Sequence, residues 1–304
     1  MAAARHFFAG RGVLEVDVPA LSRFAVSDPN IDSLEISAAI AGPSTLYLST
    51  SPEYAMKRLL AAGYPDIYAI ARVFRDGELG RRHEPEFTLI EWYRRDFGLV
   101  EMAAETCEFV AAILDRPALA NNPVQLRYRE AFQAAAGIDP LAASAAELAT
   151  LADADESLVE SLGDDRDTWL DLLMSMRIAA GFPDDRLTVV THYPASQAAL
   201  ARLDANDRTV ALRFEVFLGA MELANGYVEL CDADEQRQRF ETELHLRRAA
   251  GRQAAPIDEP LLAALEHGLP EVAGVAVGFE RLHMLYEGTG NIADVITFSF
   301  GTQR

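Results

Sequence analysis

Two glutamates, Glu222 and Glu229, flank the dipeptide Asn225-Gly226 in the run ELANGYVEL. If Asn225-Gly226 forms a two-residue turn, the two carboxylates face each other on one side of a hairpin. If the chain instead turns back at Gly219, the spacing sends them to opposite faces, unless a single bulge near Gly226 brings them together again. Either route pairs them within about 5 Å. Like charges that close are costly without a cation or proton between them. Oxygen ligands of this kind suit Mg²⁺, which takes one or two carboxylates and completes its shell with substrate phosphates. Two unrelated glutamates on a solvated hairpin fit the same spacing.

Phosphate chemistry has a second set of candidates. Arginines cluster at Arg72, Arg75, Arg81, Arg82, Arg94 and Arg95, around the runs DIYAIARVFR (66–75) and EFTLIEWYRR (86–95). Both runs are β-branched and aromatic, and a polar, glycine-containing segment joins them, which predicts a long hairpin. Alternation places Ala69, Ala71, Val73 and Arg75 on one face of the first strand, and Phe87, Leu89, Glu91 and Tyr93 on one face of the second. Such faces can floor a cleft, with Arg75 meeting a phosphate and Phe87 stacking on a flat base. An ordinary hairpin with one solvated face has the same pattern. Further on, Gly274 and Gly278 lie in a strand that leads to Arg281 at a helix start. Glycines allow a ligand close to the backbone, and an arginine there can grip a phosphate bidentately. The spacing is neither GxGxxG nor a P-loop.

The elements that must position these residues are legible in outline. Residues 1–12 read as the end of a helix stopped by Gly10 and Gly12, 13–19 as a strand closed by Pro19, and 46–50 as a short strand. SPEYAMKRLLAAG (51–63) reads as a helix that Ser51 can cap, with Pro52 in its first turn and Gly63 as its stop. Residues 99–115 and 165–181 are helical by period, and the stretch between them is Ala-rich, acidic and expected to be helical and peripheral. RLTVVTHYP (186–194) predicts a strand, 213–230 paired strands, 234–250 a charged helix, and 274–288 a strand running into a helix. Strands far apart in sequence, joined by hairpins and helices, predict an α+β domain built on a mainly antiparallel sheet.

Composition narrows the function classes. The 304 residues are 50% hydrophobic and carry a formal net charge of -20, which argues against a broad nucleic-acid-binding surface. Cys107 and Cys231 are too few and too far apart for a disulfide framework or a zinc knuckle, and they fit a reducing compartment. No apolar run reaches the roughly 20 residues of a membrane span. The N-terminus lacks a signal-type apolar core, so a cytoplasmic protein is expected.

Six segments in order carry a family resemblance: HFFAGRGVLEVDVP, TSPEYAMKRLL, FRDGELGRRHEPEFTLIEWY, YPASQAALA, ELANGYVELCDA and GVAVGFERLHML. Together they resemble the class II lysyl-tRNA synthetase lineage, and most closely its truncated branch, the elongation factor P–(R)-β-lysine ligase family. The resemblance spans essentially the whole chain. It implies a class II synthetase catalytic domain over residues 1–304, with a helical insertion at about 99–185 and no anticodon-binding domain. The first motif, closed by Pro19, implies a homodimer.

The same resemblance implies roles. Ser51, Pro52 and Glu53 would bind the amino acid, Glu53 as counter-ion to its ammonium group, and Tyr93, Glu229 and Ala276 would line its pocket. Arg75 would hold the α-phosphate of ATP, with Asp76, Gly77 and Glu84 on the same loop. Phe87 and Arg281 would sandwich adenine, Arg281 also reaching the phosphates. Glu222 and Glu229 would face Mg²⁺, and Leu223 and Gly278 would lie against ATP. Arg75, Arg281, Glu222 and Glu229 would then be the catalytic set. The implied reaction is ATP-dependent activation of lysine or (R)-β-lysine as its adenylate, followed by transfer to a lysine of elongation factor P. Charging of tRNA is disfavoured because the chain begins within the first motif. A non-enzymatic paralogue and an ammonia-dependent asparagine synthetase are further rivals on the same fold, the latter disfavoured by the lysyl-type ELANG and PASQ segments.

Three departures stand out. Lysyl synthetases commonly have Arg-Asn-Glu where this chain has Arg75-Asp76-Gly77, with Glu78 one place later. They commonly have His-Asn-Pro in place of His83-Glu84-Pro85, which sets a carboxylate where phosphate is expected. They carry glycine at Ala276, and the extra methyl is expected to reshape the pocket away from plain α-lysine.

Overall fold

The structure, a computed structural model, describes residues 1–42 and 44–302. Helix α1 (Ala2–Ala9) is followed by β1 (Leu14–Glu15), shorter than the strand expected over 13–19. The carbonyls of Asp66 and Tyr68 accept from Leu14 and Val16, and Pro19 has no N–H to extend the ladder. Strands β2 (Leu21–Ser22), β3 (Glu35–Ile36) and β4 (Leu46–Leu48) form a small antiparallel sheet in the order β2-β4-β3. Helix α2 (Glu53–Ala61) starts after Ser51, whose Oγ accepts the Glu53 N–H at 3.0 Å, and stops before Gly63 at φ +92°. The expected hairpin is β5 (Ile67–Phe74) with β6 (Glu86–Arg95).

The chain continues through α3 (Leu99–Ile113), β7 (Val124–Arg127), α4 (Tyr128–Ala136), α5 (Ala145–Leu151), α6 (Glu156–Leu162) and α7 (Arg166–Leu173). The stretch after α3 is therefore mostly helical, with one short strand in it. Sequence signals set the boundaries: Ser144 and Glu147 make a reciprocal cap on α5, and Asp155 and Asp165 cap α6 and α7. Strands β8 (Leu187–Pro194), β9 (Val210–Leu218) and β10 (Met221–Val228) follow, then α8 (Ala233–Ala249), α9 (Glu259–Gly268), β11 (Val272–Gly278) and α10 (Phe279–Glu287).

These elements fall into two compact units. The first comprises Met1–Gly98, Ala112–Leu114 and Glu229–Arg304, and the second Leu99–Ala111 and Asp115–Val228. In the first, strand order is β1-β5-β6-β11; in the second it is β10-β9-β8-β7. Pairing is parallel at β1–β5 and β7–β8 and antiparallel at the other pairs within each unit. The α+β class with a mainly antiparallel sheet is thus observed. In the second unit Tyr128, Phe132, Leu148, Trp169, Leu170 and Leu173 pack with Val190, Tyr193 and Phe217 of the strands. In the first, α1 covers the sheet face that carries Tyr68 and Trp92: the Phe8 ring stacks on Tyr68 with centroids 4.2 Å apart and meets the Trp92 edge at 5.3 Å. No helix among the described residues is long and apolar enough to cross a membrane.

Phe8 is fully buried. Phe8→Ala removes that ring from between α1 and the sheet and is expected to destabilise the protein by about 3–5 kcal/mol. Urea unfolding checks this, and a midpoint equal to that of the parent protein counts against it.

Candidate active site

The hairpin register decides what the first unit can hold. Ala69 pairs with Glu91, Ala71 with Leu89 and Val73 with Phe87, so the two alternating sets lie on the same face. Strand β11 extends it: Gly274 pairs with Tyr93, Ala276 with Glu91 and Gly278 with Leu89. Small residues on both flanks leave Glu91 and Tyr93 standing in a recess. Gly274 is obligatory for space, since a Cβ there would strike the Tyr93 ring and lie 2.6 Å from Glu229 Oε1.

Around this floor stand three buried carboxylates and one buried lysine. Lys57 Nζ lies 2.6 Å from Glu53 Oε1 and 2.6 Å from Glu229 Oε2. The spacing of Glu53 and Lys57 on α2 puts both on one helix face. Glu91 accepts from Ser51 Oγ at 2.9 Å and from Tyr93 OH at 2.7 Å. Glu229 Oε1 is buried and has no hydrogen-bond partner among the described residues. Burial alone would lower the Lys57 pKa, but Glu229 and Glu53 outweigh it and hold the ammonium charged. Burial and then Glu53 push Glu91 up to about 8, against the pull of its Tyr93 and Ser51 hydrogen bonds. Burial likewise raises Glu229 to about 8, with Lys57 opposing and Glu53 reinforcing the rise. The cluster is short of positive charge.

The loop between β5 and β6 lies beyond the other end of this floor. The Arg75 guanidinium carbon sits 5.1 Å from the Phe87 ring centroid, its Nε is 3.4 Å from the Thr50 carbonyl, and Nη1 is 3.4 Å from Glu78 Oε1. Asp76 accepts the Gly77 N–H, and Gly77 has φ +77°, a conformation that favours glycine. The turn therefore accounts for Gly77, and Glu78 is the carboxylate that reaches Arg75. Glu84 is buried, and its oxygens accept from the Ser299 hydroxyl and, at 3.0 Å, the Phe300 N–H. Arg281 donates to His83 Nε2 at 2.9 Å, and its side chain passes over Gly278. Glu280, which the sequence reading did not single out, accepts the Thr88 N–H of β6 at 2.9 Å and so sets where Arg281 stands.

The pattern of the family "tRNA synthetases class II (D, K and N)" matches residues 1–301. The chain belongs to that family. It is 44% identical over 303 residues to the elongation factor P–(R)-β-lysine ligase of Photorhabdus laumondii, covering 98% of this chain and 92% of that protein. It is also 44% identical to the ligases of the same name from Salmonella gallinarum (98% and 92% covered) and Edwardsiella ictaluri (97% and 91%).

In this class II synthetase-family chain the second unit holds the remaining sequence candidates. Asn225-Gly226 is not a turn. β9 and β10 are joined at Gly219, φ +53°, and the register shifts between Glu222 and Ala224. The bulge expected near Gly226 thus lies next to Glu222. Leu223 is buried. The two lysyl-type segments converge on a residue that spacing did not reveal: Arg213 donates to Asn225 Oδ1 at 3.1 Å, the Gln197 carbonyl at 2.7 Å and Glu215 Oε1 at 2.7 Å. Burial and then Glu222 raise Glu215 to about 7. Glu91 already stands on the cleft-flooring face of the second run, where it is a charge among apolar residues, whereas Lys57 sits beside Arg58 in a helix of mixed polarity and spacing gives it no signal. Among the described residues no three His, Cys, Asp or Glu side chains converge as a metal cluster.

The raised acids set a pH dependence. Glu91 and Glu229 bind protons in the folded protein up to about 8 and lose them near the ordinary glutamate range when unfolded. The folded state therefore holds more protons across that window, and stability falls as pH rises through it. The Tm of the ligand-free protein is expected to drop by several degrees between about pH 5 and pH 8.5. Glu91→Gln should flatten that slope; an unaltered slope would count against Glu91 as a contributor.

Proposed function

We propose that this chain uses ATP to activate a lysine-type amino acid, (R)-β-lysine by preference, and passes the acyl group to a lysine side chain of elongation factor P. One observation carries the amino-acid reading. Glu53, Glu91 and Glu229 are buried around a single Lys57, and a ligand bearing ammonium groups supplies the missing charge. The relatives, elongation factor P–(R)-β-lysine ligases, support the same donor and acceptor. Ser51 and Tyr93 then orient Glu91 toward the ligand, and the methyl of Ala276 beside Glu91 trims the space near the ligand's backbone.

In the first step the amino-acid carboxylate oxygen bonds to the α-phosphorus of ATP, and the bond to pyrophosphate breaks. Arg75 and Arg281 stabilise the charge that spreads over the phosphates, and Phe87 supports the adenine. In the second step the acceptor amine bonds to the activated carbonyl carbon, AMP leaves and the amine loses a proton. Mg²⁺, when bound, would neutralise phosphate charge. The unpartnered Glu229 Oε1 is an oxygen ligand of the right kind, and the resemblance adds Glu222. A homodimer in the cytoplasm completes the reading. Charging of tRNA is the competing use of the same adenylate, favoured by the family description.

Arg75→Ala and Arg281→Ala are each expected to abolish ATP–pyrophosphate exchange, and normal exchange in either would overturn these roles. Offering the protein ATP, β-lysine and both acceptors decides the destination: stable labelling of tRNA and not of elongation factor P would sink the proposal. Ala276→Gly should raise the kcat/KM for α-lysine relative to β-lysine, by about tenfold for a change of one methyl in a close-packed pocket.

A further inference from the structure

The chain departs from lysyl synthetases at Glu84, where they have asparagine, and the geometry around it is that of a latch. Glu84 is 5% exposed, and both of its oxygens are engaged, by the Ser299 hydroxyl and the Phe300 N–H. A carboxylate so buried would be costly without those donors. It is not turned toward Arg75, whose guanidinium lies with Phe87, the Thr50 carbonyl and Glu78. Two more contacts tie the same loop to the same stretch of chain. The Arg81 carbonyl accepts the Ile292 N–H at 2.8 Å, and the Arg81 guanidinium lies against Gly290. Next to Glu84, the Pro85 carbonyl accepts the Arg75 N–H at 2.9 Å, and His83 accepts from Arg281. Residues 83–85 thus touch both arginines proposed to hold phosphate and the segment around 299–300.

We propose that Glu84 is a positioning residue: by fastening residues 81–85 to the segment 290–300, it holds the β5–β6 loop in the conformation that presents Arg75 and Arg281 to ATP. This rests on the reading that the loop binds ATP. A carboxylate offers a separate acceptor oxygen to each of the two donors, where an amide would turn an NH₂ toward one of them. The C-terminal segment thereby becomes part of the nucleotide site without touching the nucleotide.

ATP–pyrophosphate exchange, with KM measured separately for ATP and for the amino acid, tests this on Glu84→Ala, Glu84→Gln, Ser299→Ala and the double variant Glu84→Ala/Ser299→Ala. Glu84→Ala is expected to raise the KM for ATP about tenfold, the equivalent of about 1.4 kcal/mol, with the KM for the amino acid unchanged. Glu84→Gln, which keeps one acceptor, should recover part of the loss. Ser299→Ala should cause a smaller rise, and the double variant should be no worse than Glu84→Ala alone. An unchanged KM for ATP, a parallel rise in both KM values, or additive effects in the double variant overturn the latch. Where Glu84→Ala does not fold, Glu84→Gln and Ser299→Ala carry the same test. Direct ATP binding to Arg75→Ala, measured alongside by calorimetry, separates the two layers. Loss of binding there with neutral latch variants refutes the latch alone, and undiminished binding refutes the nucleotide reading of the loop.

Discussion

The first unit is organised around one electrostatic constraint: a lysine buried between two glutamates, with a third glutamate on the sheet beside them. Lys57 is within 2.6 Å of both Glu53 and Glu229. Removing such charges from water costs several kcal/mol per ion unless partners and hydrogen bonds compensate. One lysine cannot compensate three carboxylates, and the rise of Glu91 and Glu229 to about 8 expresses the shortfall. A core optimised for stability alone would replace this cluster with apolar side chains. Its burial on this sheet is the physical basis for proposing that an ammonium-bearing ligand binds there.

The rest of the unit serves that recess. Alanines on β5 and glycines on β11 make room for the larger side chains between them, and Gly274 has no room for even a methyl beside Tyr93 and Glu229. Helix α2 brings Glu53 and Lys57 in on one face, and the covered side of the sheet is closed by Phe8 against Tyr68 and Trp92. The charged groups thus stand on rigid elements. The proposed phosphate ligands are positioned differently: Arg75 sits at the end of a strand before a loop, and Arg281 in the first turn of α10, where Glu280 ties the helix to β6. On the proposed reading, an amino acid would meet groups held on sheet and helix, and ATP would meet arginines held partly by loops.

Much of this was legible before the structure. Period-two alternation marked the faces of β5 and β6, glycines marked the turns, and the six ordered segments carried the family. Other features were not. The length of β1 was overestimated because alternation cannot tell whether a neighbouring strand offers partners. The Glu222–Glu229 spacing left the turn open, and the structure put it at Gly219 with the bulge next to Glu222. Glu84 sets a carboxylate where the resemblance expects phosphate, and Gly77 stands where it expects a glutamate. The first is held by Ser299 and Phe300, residues 215 and 216 positions away, and the second by a backbone turn at positive φ.

The sequence by itself determined the α+β class, the hairpin and its faces, and the family, because these follow from local periodicity and from motifs read in order. Only the tertiary structure decided that Lys57 joins Glu53 to Glu229, that Glu91 is flanked by Ser51 and Tyr93, that Arg213 gathers Gln197, Asn225 and Glu215, and that Glu84 faces the C-terminal segment. Each of those brings in at least one group distant in sequence, Glu229, Ser51, Gln197 or Ser299, under the demand that buried charge find a partner.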